Sequence, residues 1–183
     1  MQMMSENNIA WIDMEMTGLD PLSDHVLEIA CIITDEKLNI ISDELNIVVH
    51  QPDTILSQMN EWCMKHHAKS GLIKDSRSST VSIHEAGEKV YEFLKKYTPT
   101  HKCPLAGNTV YMDRLFLQKY MPQVNEHLHY RVIDVSSIKE LAKRWKPDVY
   151  KSLPKKQLEH RALSDIKESI SELTYYQKHL FML

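Results

Sequence analysis

Three groups of residues in this chain of 183 have types and spacing suited to chemistry. The first is Asp13-Met14-Glu15, which follows the apolar run Ile9-Ala10-Trp11-Ile12. That run reads as a strand buried on both faces. Alternation along it puts Asp13 and Glu15 on one face, with Met14 and Met16 on the other. Two carboxylates side by side at the edge of a core repel, so either one stays protonated or a cation neutralises both. An oxygen-preferring divalent ion, Mg²⁺ or Mn²⁺, suits such donors. The second group centres on Asp113, which shares a helical face with Phe116, Leu117 and Tyr120. A carboxylate on a core-facing stripe needs a metal or a partner, for which Arg114 and Arg131 are candidates. The third is His160-Arg-Ala-Leu-Ser-Asp165, where Asp165 edges the apolar stripe Ala162, Ile166, Ile170 and Leu173. An imidazole titrating at about 6.5 exchanges protons near neutral pH, which makes His160 a general-base candidate. Each group alone also reads as ordinary structure: solvated acids, a paired Asp, a histidine bonding the start of a helix.

The elements that must position these groups follow from periodicity and turn chemistry. Residues 1–8 lack a pattern and read as a loose terminus. Thr17–Pro21 is a turn, and Val26–Thr34 and Asn39–Val49 are strands joined at Asp35-Glu36-Lys37, giving an antiparallel meander with the first strand. Thr54–His67 has Ile55, Met59, Trp62, Cys63 and His66 at helical spacing, which by itself makes Trp62 a core anchor. Gly71–Thr80 reads as a polar loop. Ser82-Ile-His-Glu85 resembles a capping box for a helix reaching Thr98. Pro104–Gly107 is a short strand leading to a helix over Val110–Tyr120, and Arg131–Asp134 is another strand. Ser137 caps a helix that ends at Trp145, before Pro147. A loop with Pro154 precedes the last helix, Arg161–His179. The order implies an α/β fold, a mixed sheet of five strands flanked by helices.

Length and composition set the frame. The chain is long enough for one domain over 1–183, with 43% hydrophobic and 26% charged residues, as in soluble globular proteins. No apolar run approaches a membrane span and no leader is visible, so no membrane partner is expected. Three widely spaced cysteines, Cys31, Cys63 and Cys103, fit a reducing cytoplasm. The net charge of −3 argues against a protein that grips long duplex DNA mainly by neutralising phosphates. The charge is uneven: Lys139–Arg161 carries eight basic against three acidic residues, a segment that either guides an anionic ligand or forms a solvated face.

Together, D-x-E on an N-terminal strand, N-x-x-x-x-D-x-x-F (Asn108, Asp113, Phe116) and H-x-x-x-x-D resemble the DEDD exonucleases of the ribonuclease H-like fold, in the subgroup with histidine in its third motif. The likeness is nearest to the oligoribonuclease family and runs almost end to end. It is carried by W-I-D-M-E-M-T-G-L-D, Met59–Cys63, Tyr130–Ser136, Lys139–Pro147 and H-R-A-L-S-D-I-K-E-S-I. This resemblance implies two-metal hydrolysis of phosphodiesters from the 3′ end, releasing nucleoside 5′-monophosphates. Asp13, Glu15, Asp113 and Asp165 would hold two Mg²⁺ or Mn²⁺ ions, and His160 would be the general base. It further implies that Leu19 wedges against a base and that Trp62 stacks upon one. Thr109, which stands where the family has serine, would cap the 5′ phosphate of a dinucleotide with Arg131 and Ser136. Tyr130 would reach that cap from the partner subunit of a homodimer. The implied substrates are dinucleotides and very short RNA oligomers. The alternatives are a related exonuclease acting on longer RNA or DNA, and a non-catalytic nucleic-acid-binding module.

Overall fold

The computed structural model describes residues 4–155 and 160–181. Strand β1 (Ile9–Met16) runs beyond its apolar start because antiparallel β2 (Val26–Thr34) pairs along its length, from Ile9 opposite Thr34 to Glu15 opposite Glu28. All nine residues of β2 are buried. β3 (Leu45–Val48) continues the meander on the far edge of β2. It is shorter than the expected 39–49: Ile40 makes only an isolated bridge to Thr34, and the Ser42 hydroxyl takes the N–H of Ile33. β4 (Pro104–Gly107) joins the other edge of β1 in parallel at Ala10 and Trp11, and β5 (His129–Asp134) lies parallel to β4. The mixed sheet therefore has the order β3-β2-β1-β4-β5.

Helices cover both faces. In chain order they are α1 (Asp53–Leu56), α2 (Glu61–Lys69), α3 (Leu72–Ser78), α4 (Ile83–Tyr97), α5 (Tyr111–Tyr120), α6 (Pro122–His127), α7 (Val135–Trp145), α8 (Pro147–Lys151) and α9 (Ala162–His179). Ala10, Ile12, Met14 and Met16 face α4 to α6 and pack with Val90, Leu94, Phe116, Leu117 and Val124. Ile9 and Trp11 face the other way, against Val135 and Ala142 of α7 and Ala162, Ile166 and Ile170 of α9. Trp11 is fully buried, and its indole N–H donates to the Thr34 hydroxyl at 2.9 Å. Each valine, leucine, isoleucine, methionine or phenylalanine side chain buried on these faces contributes about 1.5–3 kcal/mol before conformational entropy is charged against it. The alternation that buries Trp11 under α9 delivers Asp13 and Glu15 to the same face.

Several expectations need correction. The helix over 54–67 breaks at 57–60, and the Asn60 side chain restarts it by accepting the Cys63 N–H at 2.9 Å. Restarting shifts the helical phase, so Leu56, Met59, Cys63 and His67 are buried while Trp62 is 57% exposed. The polar stretch Gly71–Thr80 contains α3, whose Leu72 packs on Leu27 and whose Ser76 hydroxyl donates to the Val49 carbonyl. α7 is capped by Asp134, which accepts from Ser136 N, rather than by Ser137. Pro147 begins α8, and α6 follows Met121; neither helix was expected. The terminus is tied down in part, since Asn8 is buried and donates to the Tyr97 carbonyl. Of the loop after Pro154, residues 156–159 lie outside the described residues. No described helix is long and apolar enough to cross a membrane.

Candidate active site

The site begins where β4 ends. β4 pairs with β1 only at Ala10 and Trp11, so the next stretch of that edge of β1 has no strand beside it. There the N–H of Met14 donates to Oδ1 of Asp113 at 2.9 Å. Asp113 lies in the first turn of α5, 6% exposed, with Phe116 and Leu117 buried one turn on. Its carboxylate on the core stripe is thus met by a backbone N–H. Arg114 instead donates to the His129 carbonyl.

From the opposite side, the first turn of α9 brings Asp165 onto Glu15, and their side chains share a hydrogen bond. Ligand atoms of Glu15, His160 and Asp165 all lie within 4.8 Å of one another. His160 has φ +53°, the left-handed region that costs a non-glycine residue energy and persists only where surroundings fix it. Its ring stands edge-on to Trp62, centroids 5.6 Å apart, and to His66 at 4.6 Å; His66 in turn tilts over Trp62 at 4.2 Å.

Burial and mutual repulsion disturb every carboxyl here whose titration departs from the ordinary. Burial first, then the charges of Asp113, Glu15 and Asp165, holds Asp13 well above the usual carboxylate range. Burial and then Asp165 push Glu15 up to about 8. Asp113 is pushed up to about 8 by burial, although the Met14 N–H works against this. A cluster of hard oxygen donors that repel one another, with an imidazole at its rim, fits a divalent cation, which would take the place of the protons. His67, which the sequence reading missed, is buried beside Glu15. Its Nε2 lies 2.8 Å from the Met16 carbonyl and so carries the proton, leaving Nδ1 facing Glu15 Oε2 at 3.8 Å. Burial depresses its pKa and keeps it neutral. Its position four residues after Cys63, on a helix counted from the Asn60 cap, was the available signal.

The remaining expected residues divide in two. Thr109 and Ser136 come together: their hydroxyls are 3.1 Å apart, and both backbone N–H groups donate to Asp134 Oδ1 at 2.9 Å. Asn108 Oδ1 accepts from the Ser136 hydroxyl, and Thr109 is held at φ +54°. Leu19, 67% exposed, projects from the turn after β1. That turn is braced by Asp24, which accepts from the Thr17 hydroxyl and Asp20 N, and a Cβ at Gly18 would collide with the Asp24 carboxylate. Tyr130, 73% exposed, and Arg131 lie on the edge strand β5, the guanidinium 5.2 Å from the centre of the tyrosine ring. The basic segment is partly neutralised, Arg144 by Glu140 within it and Lys139 by Glu172 of α9.

Comparison with known proteins adds to this geometry. The family model of the RNase_T exonucleases matches residues 10–173. A probable oligoribonuclease of Drosophila melanogaster is 53% identical over 176 residues, covering 96% of this chain and 83% of that protein. The oligoribonuclease of Pseudoalteromonas atlantica (strain T6c / ATCC BAA-1087) is 52% identical, with 95% and 96% covered, and the mitochondrial oligoribonuclease of Homo sapiens is 50% identical, with 94% and 73% covered. Among solved structures, E. coli exonuclease I in complex with a 5cy-dT13 oligonucleotide superposes with a TM-score of 0.73 at 15% identity, over 97% of this chain and 42% of that one. This chain therefore spans about two fifths of that structure, and the likeness bears on the fold alone.

Proposed function

The chain belongs to the RNase_T exonuclease family, and from that premise we propose that it hydrolyses dinucleotides and very short RNA oligomers from the 3′ end to nucleoside 5′-monophosphates. The observation that carries this reading is the gathering of Glu15, His160 and Asp165 within 4.8 Å, beside Asp13 and Asp113, in a homologue of oligoribonucleases. Asp13, Glu15, Asp113 and Asp165 would hold two Mg²⁺ or Mn²⁺ ions. When bound, such ions supply Lewis-acid stabilisation of the charge that builds on the phosphate and the leaving oxygen.

The protein's own groups do the rest. His160 accepts the proton of the attacking water as its oxygen bonds to phosphorus and the bond to the 3′ oxygen breaks. The edge-on contacts with Trp62 and His66 fix the plane of its ring. Trp62, exposed beside His160, gives a base a face to stack on, and Leu19 closes over it from the turn after β1. Thr109 and Ser136, whose backbone N–H groups Asp134 holds together, would turn their hydroxyls from each other and from Asn108 to donate to the 5′ phosphate. Arg131 adds charge to that cap, and Tyr130 comes to it from a second copy in a homodimer. A capped site with few phosphates to neutralise suits a chain of net charge −3, and three free, buried thiols suit the cytoplasm.

The test is product identity. A 5′-phosphorylated dinucleotide incubated with Mn²⁺ should yield only nucleoside 5′-monophosphates, and a chelator should abolish the reaction. Nucleoside 3′-monophosphates, or cleavage that survives the chelator, would refute the reading.

A further inference from the structure

Glu28 lies within β2 and has no exposed surface. Its register partner across the strands is Glu15, so its side chain emerges on the α9 face next to the carboxylate cluster. An unpaired charge buried there would be costly, yet Glu28 is fully engaged. Its two oxygens take Arg161 Nε at 3.1 and 3.2 Å, Arg161 Nη2 at 2.7 Å, Asn46 Nδ2 at 3.1 Å and the backbone N–H of Ala162 at 2.9 Å. With both oxygens committed, Glu28 is not a further metal ligand. The remaining arm of Arg161 reaches Asp75 Oδ2 at 2.9 Å and the Ser70 carbonyl at 3.4 Å.

These bonds converge on one point of the chain. Arg161 is the N-cap position of α9 and makes no side-chain cap of its own. Glu28 supplies that cap from the sheet, on Ala162, where a helix favours a negative charge. Arg161 directly follows His160, and its carbonyl accepts the N–H of Asp165 one turn later at 3.0 Å. His160, just before α9, and Asp165, in its first turn, are therefore both tied to the backbone of the residue whose guanidinium is held.

We infer that Glu28, Arg161 and Asp75 form a positioning clamp that holds His160 in its left-handed conformation and sets the approach of Asp165 to Glu15. Glu28 acts through Arg161, without touching the substrate. Arginine is needed because its planar fork spans Glu28 and Asp75 at once, which a lysine ammonium cannot do. The inference rests on the reading of His160 as the base, and its test separates the two.

Glu28→Gln keeps the shape and loses the charge; Arg161→Lys keeps the charge and loses the fork. In each, kcat on a dinucleotide with Mn²⁺ should fall about tenfold or more while KM stays within about twofold, because misplacing a base costs rate rather than binding. In a His160→Ala background, Glu28→Gln should cost clearly less than it does in the wild type, what remains being the share carried through Asp165. In ¹³C-histidine NMR of the metal-free protein, the His160 ring signal should shift or broaden, while that of His127, on the α4–α6 side, stays put. Unchanged kcat, an additive loss in the double variant, or an unmoved His160 signal would each overturn the clamp. If Glu28→Gln does not fold, Arg161→Lys carries the same measurements. If the wild-type chain cuts no RNA, the proposed function falls, and the His160 signal alone decides the clamp.

Discussion

Binding of a divalent cation to the metal-free protein should expel protons, and the number is set by the crowded carboxyls. Burial and repulsion place both Glu15 and Asp113 at about 8. At about pH 7 a group of that pKa is about nine-tenths protonated, so this pair should give up about two protons to Mn²⁺, and only about 0.2 at about pH 9, with Asp13, which burial and its neighbours also keep protonated, adding to the total. Calorimetric titration in buffers of different ionisation enthalpy reads this count directly. The stability of the metal-free protein carries the same signature. An acid whose pKa is raised on folding binds more protons in the folded than in the unfolded state. Its contribution is full below the ordinary carboxylate value of 4.5 and is lost as pH rises through about 8. Thermal midpoints of the metal-free protein should therefore fall across that window, and saturating Mn²⁺ should flatten the fall. Glu15→Gln should reduce the proton count by about one. Release of less than about half a proton at about pH 7, or a count independent of pH, would refute the reasoning.

Three further outcomes follow from single positions. His160→Ala should lower turnover about a hundred- to ten-thousand-fold while Mn²⁺ still binds to the carboxylates, which equilibrium titration would detect. Trp62→Ala should weaken dinucleotide binding by about 1–3 kcal/mol, or about five- to 150-fold, since base stacking is lost. Because Trp62 is mostly exposed, unfolding in denaturant should show a stability change within about 1 kcal/mol. Arg131→Ala should weaken a 5′-phosphorylated dinucleotide far more than an unphosphorylated one; equal losses in a competition assay would place the cap elsewhere.

The parts legible in the sequence are those fixed by local periodicity. The apolar start of β1 and its alternation foretold that Asp13 and Glu15 share a face, and the stripe Ala162, Ile166, Ile170 foretold the packed side of α9, with Asp165 at its edge. The Asp113–Phe116–Leu117 face was equally readable, though its partner, a backbone N–H freed where β4 ends, depends on strand lengths that no local pattern encodes. Helical spacing counted through 57–60, instead of from the Asn60 cap, put Trp62 on the core stripe and passed over His67. α3 was invisible because its serine-rich stretch is helical through tertiary packing of Leu72 and Ser76. Glu28 carried a signal that went unused: a charge inside an otherwise apolar nine-residue strand requires a buried partner, and Arg161 is 133 residues away.

The central claim is a capped site for very short RNA, and relative cleavage rates test it most directly. A 5′-labelled dinucleotide and an about twenty-residue RNA, each with Mn²⁺ and with chelator, differ in length while offering the same 3′ end and the same stacking contacts. The account predicts rapid, metal-dependent loss of the dinucleotide with the long strand barely touched. A descending ladder on the long strand at a comparable rate would contradict it.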